Sequence, residues 1–174
     1  MAIADKISTC LEKASWIRKM FEQGNALRRI HGDENVFDFT LGNPAVEPPE
    51  AFRRELLAMA KNPLPGMHRY MSNAGYEKTR EAVAALLSET SPQKVEAGHV
   101  VMTCGAGGAL NVVLKTILNP GDEVIILNPF FVEYKFYIDN HGGAPREVST
   151  DPETFLPDVA AIDKAIGAKT RAII

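Results

Sequence analysis

The chain has little of what marks disulfide-bonded, secreted or membrane-spanning proteins. Its only cysteines, Cys10 and Cys104, lie far apart and in no metal-ligand spacing, which favours free thiols in a reducing compartment. No apolar run approaches the roughly 18 residues needed to cross a bilayer. The N-terminus, with Asp5 and Lys6 close behind Met1, lacks the apolar segment of a secretory signal. We therefore expect a cytoplasmic protein with neither a membrane partner nor a bound metal.

The chain also has little excess of either charge. The formal net charge is −3, so there is no basic surface to attract nucleic acid or an anionic membrane. With 174 residues, 45% of them hydrophobic and 24% charged, the chain has the composition of an ordinary globular protein that can bury a sizeable core.

The first part of the chain is predicted to be mainly helical. Apolar residues recur there at helical spacing, which predicts an amphipathic helix ending near Gly24, with a stripe that covers the protein's own body or a partner subunit. A short strand is expected at 36–41, and a helix from Pro48 until Asn62. The stripe consists of Ile3, Ile7, Leu11, Ala14, Ile17 and Phe21.

Strands and helices alternate from residue 100 onward, which predicts an α/β fold with a parallel, doubly wound sheet. The chain stops at Ile174, inside an apparent buried strand, and we expect it to be incomplete at that end. The expected strands are 100–103, 123–127, 145–149 and 170–174, and the expected helices are 75–88, 107–118, 131–140 and 157–166.

A glycine-rich turn, Gly105-Ala106-Gly107-Gly108, joins one of these strands to a helix. Unpaired amides and the helix dipole favour an anion there, phosphate above all, although a plain strand-to-helix turn has the same composition. A dinucleotide fingerprint fits poorly because Leu110 stands where its third glycine should be, and no Lys-Ser/Thr pair follows as in a Walker loop.

Other candidate site residues are ambiguous by themselves. Phe131 follows a predicted parallel strand at its carboxyl end, where such sheets bind ligands, and could stack on a flat ring or simply pack the next helix. Tyr70 lies in a polar loop where a solvent-facing tyrosine is ordinary. Gly42 belongs to a Gly-Asn-Pro turn.

Taken together, these runs resemble the class I/II aminotransferases, which are fold-type-I pyridoxal-phosphate enzymes. They follow the family's order and usual spacings over residues 35–174. The matching runs are Leu41-Gly42-Asn43-Pro44, His68-Arg69-Tyr70 with Gly75 and Arg80, Thr103 to Leu110, Asn119 to Val124, and Pro129 to Tyr134.

The resemblance implies a pyridoxal 5'-phosphate cofactor and a role for each matching position. Ala106 and Gly107 match the amides that hold the cofactor phosphate, and Phe131 matches the aromatic that stacks on the pyridine ring. Gly42 matches a backbone position near the substrate carboxylate. Tyr70 matches the tyrosine that reaches the phosphate of the neighbouring subunit, which implies a homodimer.

The resemblance also implies which groups the chain does not contain. In the family the Schiff-base lysine, the aspartate at the pyridinium nitrogen and the arginine for the substrate carboxylate all match positions beyond Ile174. No catalytic residue is therefore expected among the lysines present, and the 174 residues alone are expected to be inactive. Lys115, Lys135, Lys164 and Lys169 are present but match no family lysine position, and they are expected to be solvated helix or loop charges.

The same resemblance suggests a domain organisation. Residues 1–45 would form an N-terminal helix and arm at the small domain or dimer contact. Residues 46–174 would form the first part of a three-layer, cofactor-binding large domain. The family's first large-domain strand, matching 100–103, normally sits apart from the next three strands.

Four functions stay open. The first is an aminotransferase that moves an amino group from an amino acid to a 2-oxo acid. The second is a fold-type-I relative, such as a carbon–sulfur β-lyase or a cyclising synthase. A cofactor-binding transcription sensor is disfavoured, because the residues before the first strand cannot hold a winged-helix domain. An inactive, truncated remnant is the fourth, and the substrates cannot be read from the sequence.

Overall fold

The computed structural model describes residues 3–39, 42 and 44–174, without the side chains of residues 10–18. The chain forms two compact units, Met1–Met67 and His68–Ile174. The N-terminal unit contains α1 (Asp5–His31) and α2 (Glu50–Lys61). The second unit contains α3 (Glu77–Thr90), α4 (Gly105–Ile117), β1 (Glu123–Asn128), α5 (Glu133–Asn140), β2 (Ala144–Ser149), α6 (Val159–Ala165) and β3 (Thr170–Ile173).

The predicted end of the first helix near Gly24 is wrong, because α1 continues to His31. A single glycine inside a helix costs only about 1 kcal/mol, and the helix-forming residues after it outweigh that cost. The helix ends instead at Gly32, whose φ of 85° ends the helical geometry. Arg28 and Arg29 in the last turn also suit the negative end of the helix dipole.

The segment after α1 lies along that helix. Arg28 donates to the Asp38 carboxylate at 2.8 Å, and both side chains are mostly buried. Val36 is extended, but residues 36–39 form no strand, so the described part of the predicted strand at 36–41 is unpaired. Thr40 and Leu41 lie outside the described residues. The predicted helix after Pro48 is confirmed by α2.

The second unit is built on a parallel sheet of three strands in the order β2-β1-β3. Central β1 pairs with β2 from Glu123↔Ala144 to Asn128↔Ser149. The prediction of an α/β fold with a parallel sheet is therefore confirmed. Parallel pairing needs crossover connections, which α5 and α6 supply, and β3 pairs on the opposite side of β1 from β2.

The middle residues of β1 alternate between two cores. Val124 and Ile126 pack with Leu114 of α4 and Ile138 of α5, whereas Ile125 packs with Val148 and Ala165 of α6. All three β1 residues are fully buried. Such continuous burial is typical of a central parallel strand covered by helices on both faces, and it gives this unit three layers.

Residues 100–103, predicted as a strand, belong to no sheet among the described residues. The segment is extended at Val100, but Met102 donates its amide to the Ala74 carbonyl at 3.0 Å rather than to a strand. Gly75 permits this contact, because at its φ of 96° a Cβ would lie 2.7 Å from the Met102 side chain. The segment thus stands apart from β1, β2 and β3.

None of the helices that the structure describes is both long and apolar enough to cross a membrane. The unit boundary at Met67/His68 reflects compactness alone. The predicted division at residues 45/46 stays a prediction.

Candidate functional site

The glycine-rich turn forms the first turn of α4. Gly105 begins the helix at a φ of 72°, a conformation that residues with a Cβ rarely adopt. Its amide donates to the Thr103 carbonyl at 3.1 Å, and the Thr103 hydroxyl donates to the Gly105 carbonyl at the same distance. These two bonds fold the chain sharply from the extended segment into the helix.

The amides at this helix end are available to a ligand. No side chain caps α4, and none of the hydrogen bonds found in the described chain uses the amide of Ala106 or Gly107. Both residues lie in the first turn of α4, whose dipole places partial positive charge at this end. The geometry is that of an anion site lined by backbone donors. We call residues 105–108 the cup.

The sequence analysis missed three residues behind the cup. The side-chain Nδ2 of Asn111 donates to the Gly107 carbonyl at 2.8 Å, and Oδ1 of the same side chain lies 3.0 Å from His141 Nε2. A Cβ on Gly107 would lie 3.0 Å from the Tyr137 hydroxyl, which is closer than such contacts ordinarily are. The position of Asn111 one helical turn after Gly107 was the signal that could have identified the first of them.

Phe131 follows β1 at the carboxyl end of that strand, as predicted. Its ring is 57% exposed and meets Tyr134 edge to face, with centroids 5.8 Å apart and an interplanar angle of 84°. Neighbouring Phe130 packs on the core cluster that also holds Leu114 of α4. One core therefore supports both the cup helix and the aromatic turn.

Tyr70 is fully exposed. It lines a surface groove of about 560 Å³, together with Met102, Thr103 and Cys104. The Ser72 hydroxyl donates to the Gly75 carbonyl at 2.7 Å and closes the loop that carries Tyr70. The structure thus brings this loop to the segment that leads into the cup.

Gly42 is exposed and belongs to the N-terminal unit, while Leu41 and Asn43 beside it lie outside the described residues. Of the lysines, Lys115, Lys164 and Lys169 are exposed. Lys135 differs, because it pairs with Glu147 and lies 5.1 Å from the centre of the Phe130 ring.

The turn between α4 and β1 is held by a buried carboxylate. Asp122, 6% exposed, accepts from the Asn119 amide at 2.9 Å and from Arg171 Nε of β3 at 3.0 Å. The Asn119 backbone amide, and then the Arg171 side chain, hold the pKa of Asp122 below its ordinary value of 3.8. This carboxylate is a structural tie between the end of α4 and the sheet.

Comparison with known proteins gives one consistent family. Residues 34–174 match the family model for aminotransferase class I and II. The chain is 35% identical over 139 residues to a probable aspartate/prephenate aminotransferase of Thermus aquaticus, covering 78% of this chain and 35% of that protein. It is 30% identical over 177 residues to aromatic-amino-acid aminotransferase 2 of Thermococcus litoralis, covering 100% of this chain and 42% of the relative.

Comparison with solved structures gives the same family. The crystal structure of an amino transferase from Eubacterium rectale superposes with a TM-score of 0.90 at 31% identity, covering 99% of this chain and 44% of that one. The chain thus spans less than half the length of these relatives. From the family match over residues 34–174 and the agreement in structure, the chain belongs to the class I and II aminotransferase family.

Proposed function

We propose that this chain forms part of a pyridoxal-phosphate-dependent aminotransferase that moves an amino group from an amino acid to a 2-oxo acid. The observation that carries the proposal is the cup, where the Ala106 and Gly107 amides have no partner in the described part of the chain. Family membership supplies the class of cofactor. The cup supplies a site that suits its phosphate.

The residues present fit this cofactor. The Ala106 and Gly107 amides would bind the phosphate, because backbone donors at a helix N-terminus suit an anion. Phe131, exposed after β1, would lie against the pyridine ring. When bound, the cofactor would supply an electron sink for chemistry at the substrate Cα. The chain's own share is to bind and orient the cofactor.

The remaining assignments concern the substrate and the partner subunit. Gly42 would contribute backbone contacts near the substrate carboxylate. Tyr70, fully exposed on its own chain, would reach the phosphate bound by the partner, so that the active unit is a homodimer. An exposed tyrosine with a free ring suits a contact completed by a second subunit.

A half-reaction tests the proposed activity. The intact protein, expressed from its complete gene and loaded with pyridoxal phosphate, is mixed with single amino acids and no 2-oxo acid. We expect one equivalent of 2-oxo acid per bound cofactor and then arrest. Adding a second 2-oxo acid should restart turnover, because an aminotransferase needs both substrates in alternation.

Continuous release of ammonia and a 2-oxo acid from a cysteine conjugate, without a second substrate, would identify a β-lyase instead. Failure of the intact protein to bind the cofactor in any form would contradict both activities.

A further inference from the structure

The cup is built from residues that form helix poorly. Gly105, Gly107 and Gly108 stand within the first turn of α4, and glycine is the weakest helix former after proline. Small residues let a phosphate approach the backbone, but they leave the turn without intrinsic rigidity. An ordered cup therefore needs support from outside this turn.

Asn111 provides such support from the next turn of the helix. Its Nδ2 donates to the Gly107 carbonyl at 2.8 Å, and the side chain is half-buried. A carbonyl can only accept, so the NH2 group of Asn111 faces Gly107 and Oδ1 faces the other way. This bond ties Gly107 of the cup to the next turn of α4.

His141 fixes the orientation of Asn111. His141 Nε2 lies 3.0 Å from Asn111 Oδ1, and because that oxygen only accepts, Nε2 is the donor of this hydrogen bond. His141 follows directly after α5, which packs against α4 through Ile138 and Leu114. The orientation of Asn111 is thus set by a separate, well-packed element.

Tyr137, on the same helix as Ile138, occupies the space beside Gly107. Its hydroxyl would lie 3.0 Å from a Cβ at that position, so α5 contacts the cup directly as well as through His141. Tyr137 of α5 therefore lies directly beside Gly107, and His141 at the end of α5 acts on Gly107 through Asn111.

We propose that Asn111, oriented by His141, is a positioning residue for the cofactor phosphate. It holds the first turn of α4 so that the Ala106 and Gly107 amides already point to the phosphate before it binds. The inference rests on the proposed function, since it requires that the cup bind pyridoxal phosphate. It predicts an effect confined to the phosphate end of the cofactor.

Binding of two cofactor forms tests this role. Dissociation constants for pyridoxal phosphate and for pyridoxal, which lacks the phosphate, are measured with the intact protein. We expect Asn111→Leu to weaken pyridoxal phosphate binding by roughly three- to tenfold, because the net free energy of one hydrogen bond corresponds to a change of that size in the dissociation constant. Binding of pyridoxal should be unchanged, because it makes no use of the cup.

Matched variants separate positioning from general stability. Thr116→Val removes a similar bond, from the Thr116 hydroxyl to the Val112 carbonyl at 2.8 Å, farther along the same helix and should leave both constants unchanged. His141→Phe should weaken the binding of pyridoxal phosphate but not that of pyridoxal. His141→Gln keeps a hydrogen-bond donor and should therefore bind pyridoxal phosphate as wild type does.

Equal losses for both ligands in Asn111→Leu, or no loss for either, would overturn the positioning role while leaving the cofactor assignment intact. His141→Phe gives the same decision if Asn111→Leu does not fold. A wild-type protein that binds pyridoxal as tightly as pyridoxal phosphate would instead overturn the proposed cup itself, and the positioning role with it.

Discussion

At the residue scale, the cup depends on what its residues lack. Gly105 adopts a φ of 72°, which lets the chain turn from an extended segment directly into α4. Gly107 has no Cβ to meet the Tyr137 hydroxyl. Because side chains are absent at these points, the donors that the cup offers are backbone amides rather than charged groups, an arrangement that suits a phosphate at a helix N-terminus.

Replacing single glycines separates backbone strain from helix propensity. Gly105→Ala should lower the free energy of unfolding by about 1–2 kcal/mol, the cost of a left-handed residue with a Cβ. Gly108→Ala is the matched control, since its φ is not positive and an added Cβ would lie 3.5 Å from Thr103, an ordinary contact.

Gly108→Ala should raise the free energy of unfolding by up to about 1 kcal/mol through better helix propensity. Urea denaturation of the intact protein measures both variants. Equal shifts in the two would show that the backbone conformation of Gly105 is unimportant.

At the element scale, the turn of residues 119–122 ties α4 to the sheet. Asp122 accepts from Asn119 at the end of the α4 connection and from Arg171 in β3, so one carboxylate joins the helix exit to β3. The pKa of Asp122 is lowered by these hydrogen bonds, so its ionised form is the one that stabilises the fold.

This tie predicts a pH dependence. Because the folded-state pKa is lowered, the Asp122 carboxylate contributes fully to the free energy of unfolding above the unfolded-state pKa of about 3.9. This contribution is lost as the pH falls through the folded-state pKa. Asp122→Asn should therefore be less stable than wild type at pH 7, and the difference should narrow below about pH 4.

Urea unfolding of the intact protein across this pH range provides the measurement. Asp163→Asn is the control, because it removes the same charge from an exposed position on α6. A gap between wild type and Asp122→Asn that stays constant down to the acid limit would show that the carboxylate is not stabilised as an anion.

Most elements could be predicted from the sequence because their patterns were local. The apolar run of β1 and the Pro-Glu start of α2 are read directly from neighbouring residues. The end of α1 could not be, since Gly24 resembles a helix stop and only the residues beyond it decide the outcome. That residues 100–103 pair with none of β1, β2 and β3 could be expected only from the family resemblance, because strand pairing depends on distant segments and not on propensity.

The candidate site, too, could be predicted from the sequence only in part. The cup was visible as a strand-to-helix glycine run, but its support by His141 was not, because that residue lies 30 positions from Asn111. Contacts of this kind arise from the packing of α4 on α5. No local pattern in the sequence encodes them.

At the scale of the whole molecule, much apolar surface remains uncovered in the chain. Phe52 and Leu56 of α2 are both more than half exposed, as is Phe131. Exposed apolar groups in such numbers are typical of surfaces that pack against other protein. They agree with the proposal of a homodimer in which Tyr70 of the partner subunit completes each cofactor site.

The central claim is that the cup binds the cofactor phosphate, and a crystal structure of the intact protein with pyridoxal phosphate tests it most directly. We predict phosphate oxygens within about 2.7–3.2 Å of the Ala106 and Gly107 amide nitrogens. The ring should lie against Phe131, and Tyr70 of the partner subunit should reach the phosphate. A phosphate bound elsewhere, with the two amides facing solvent, would contradict the account.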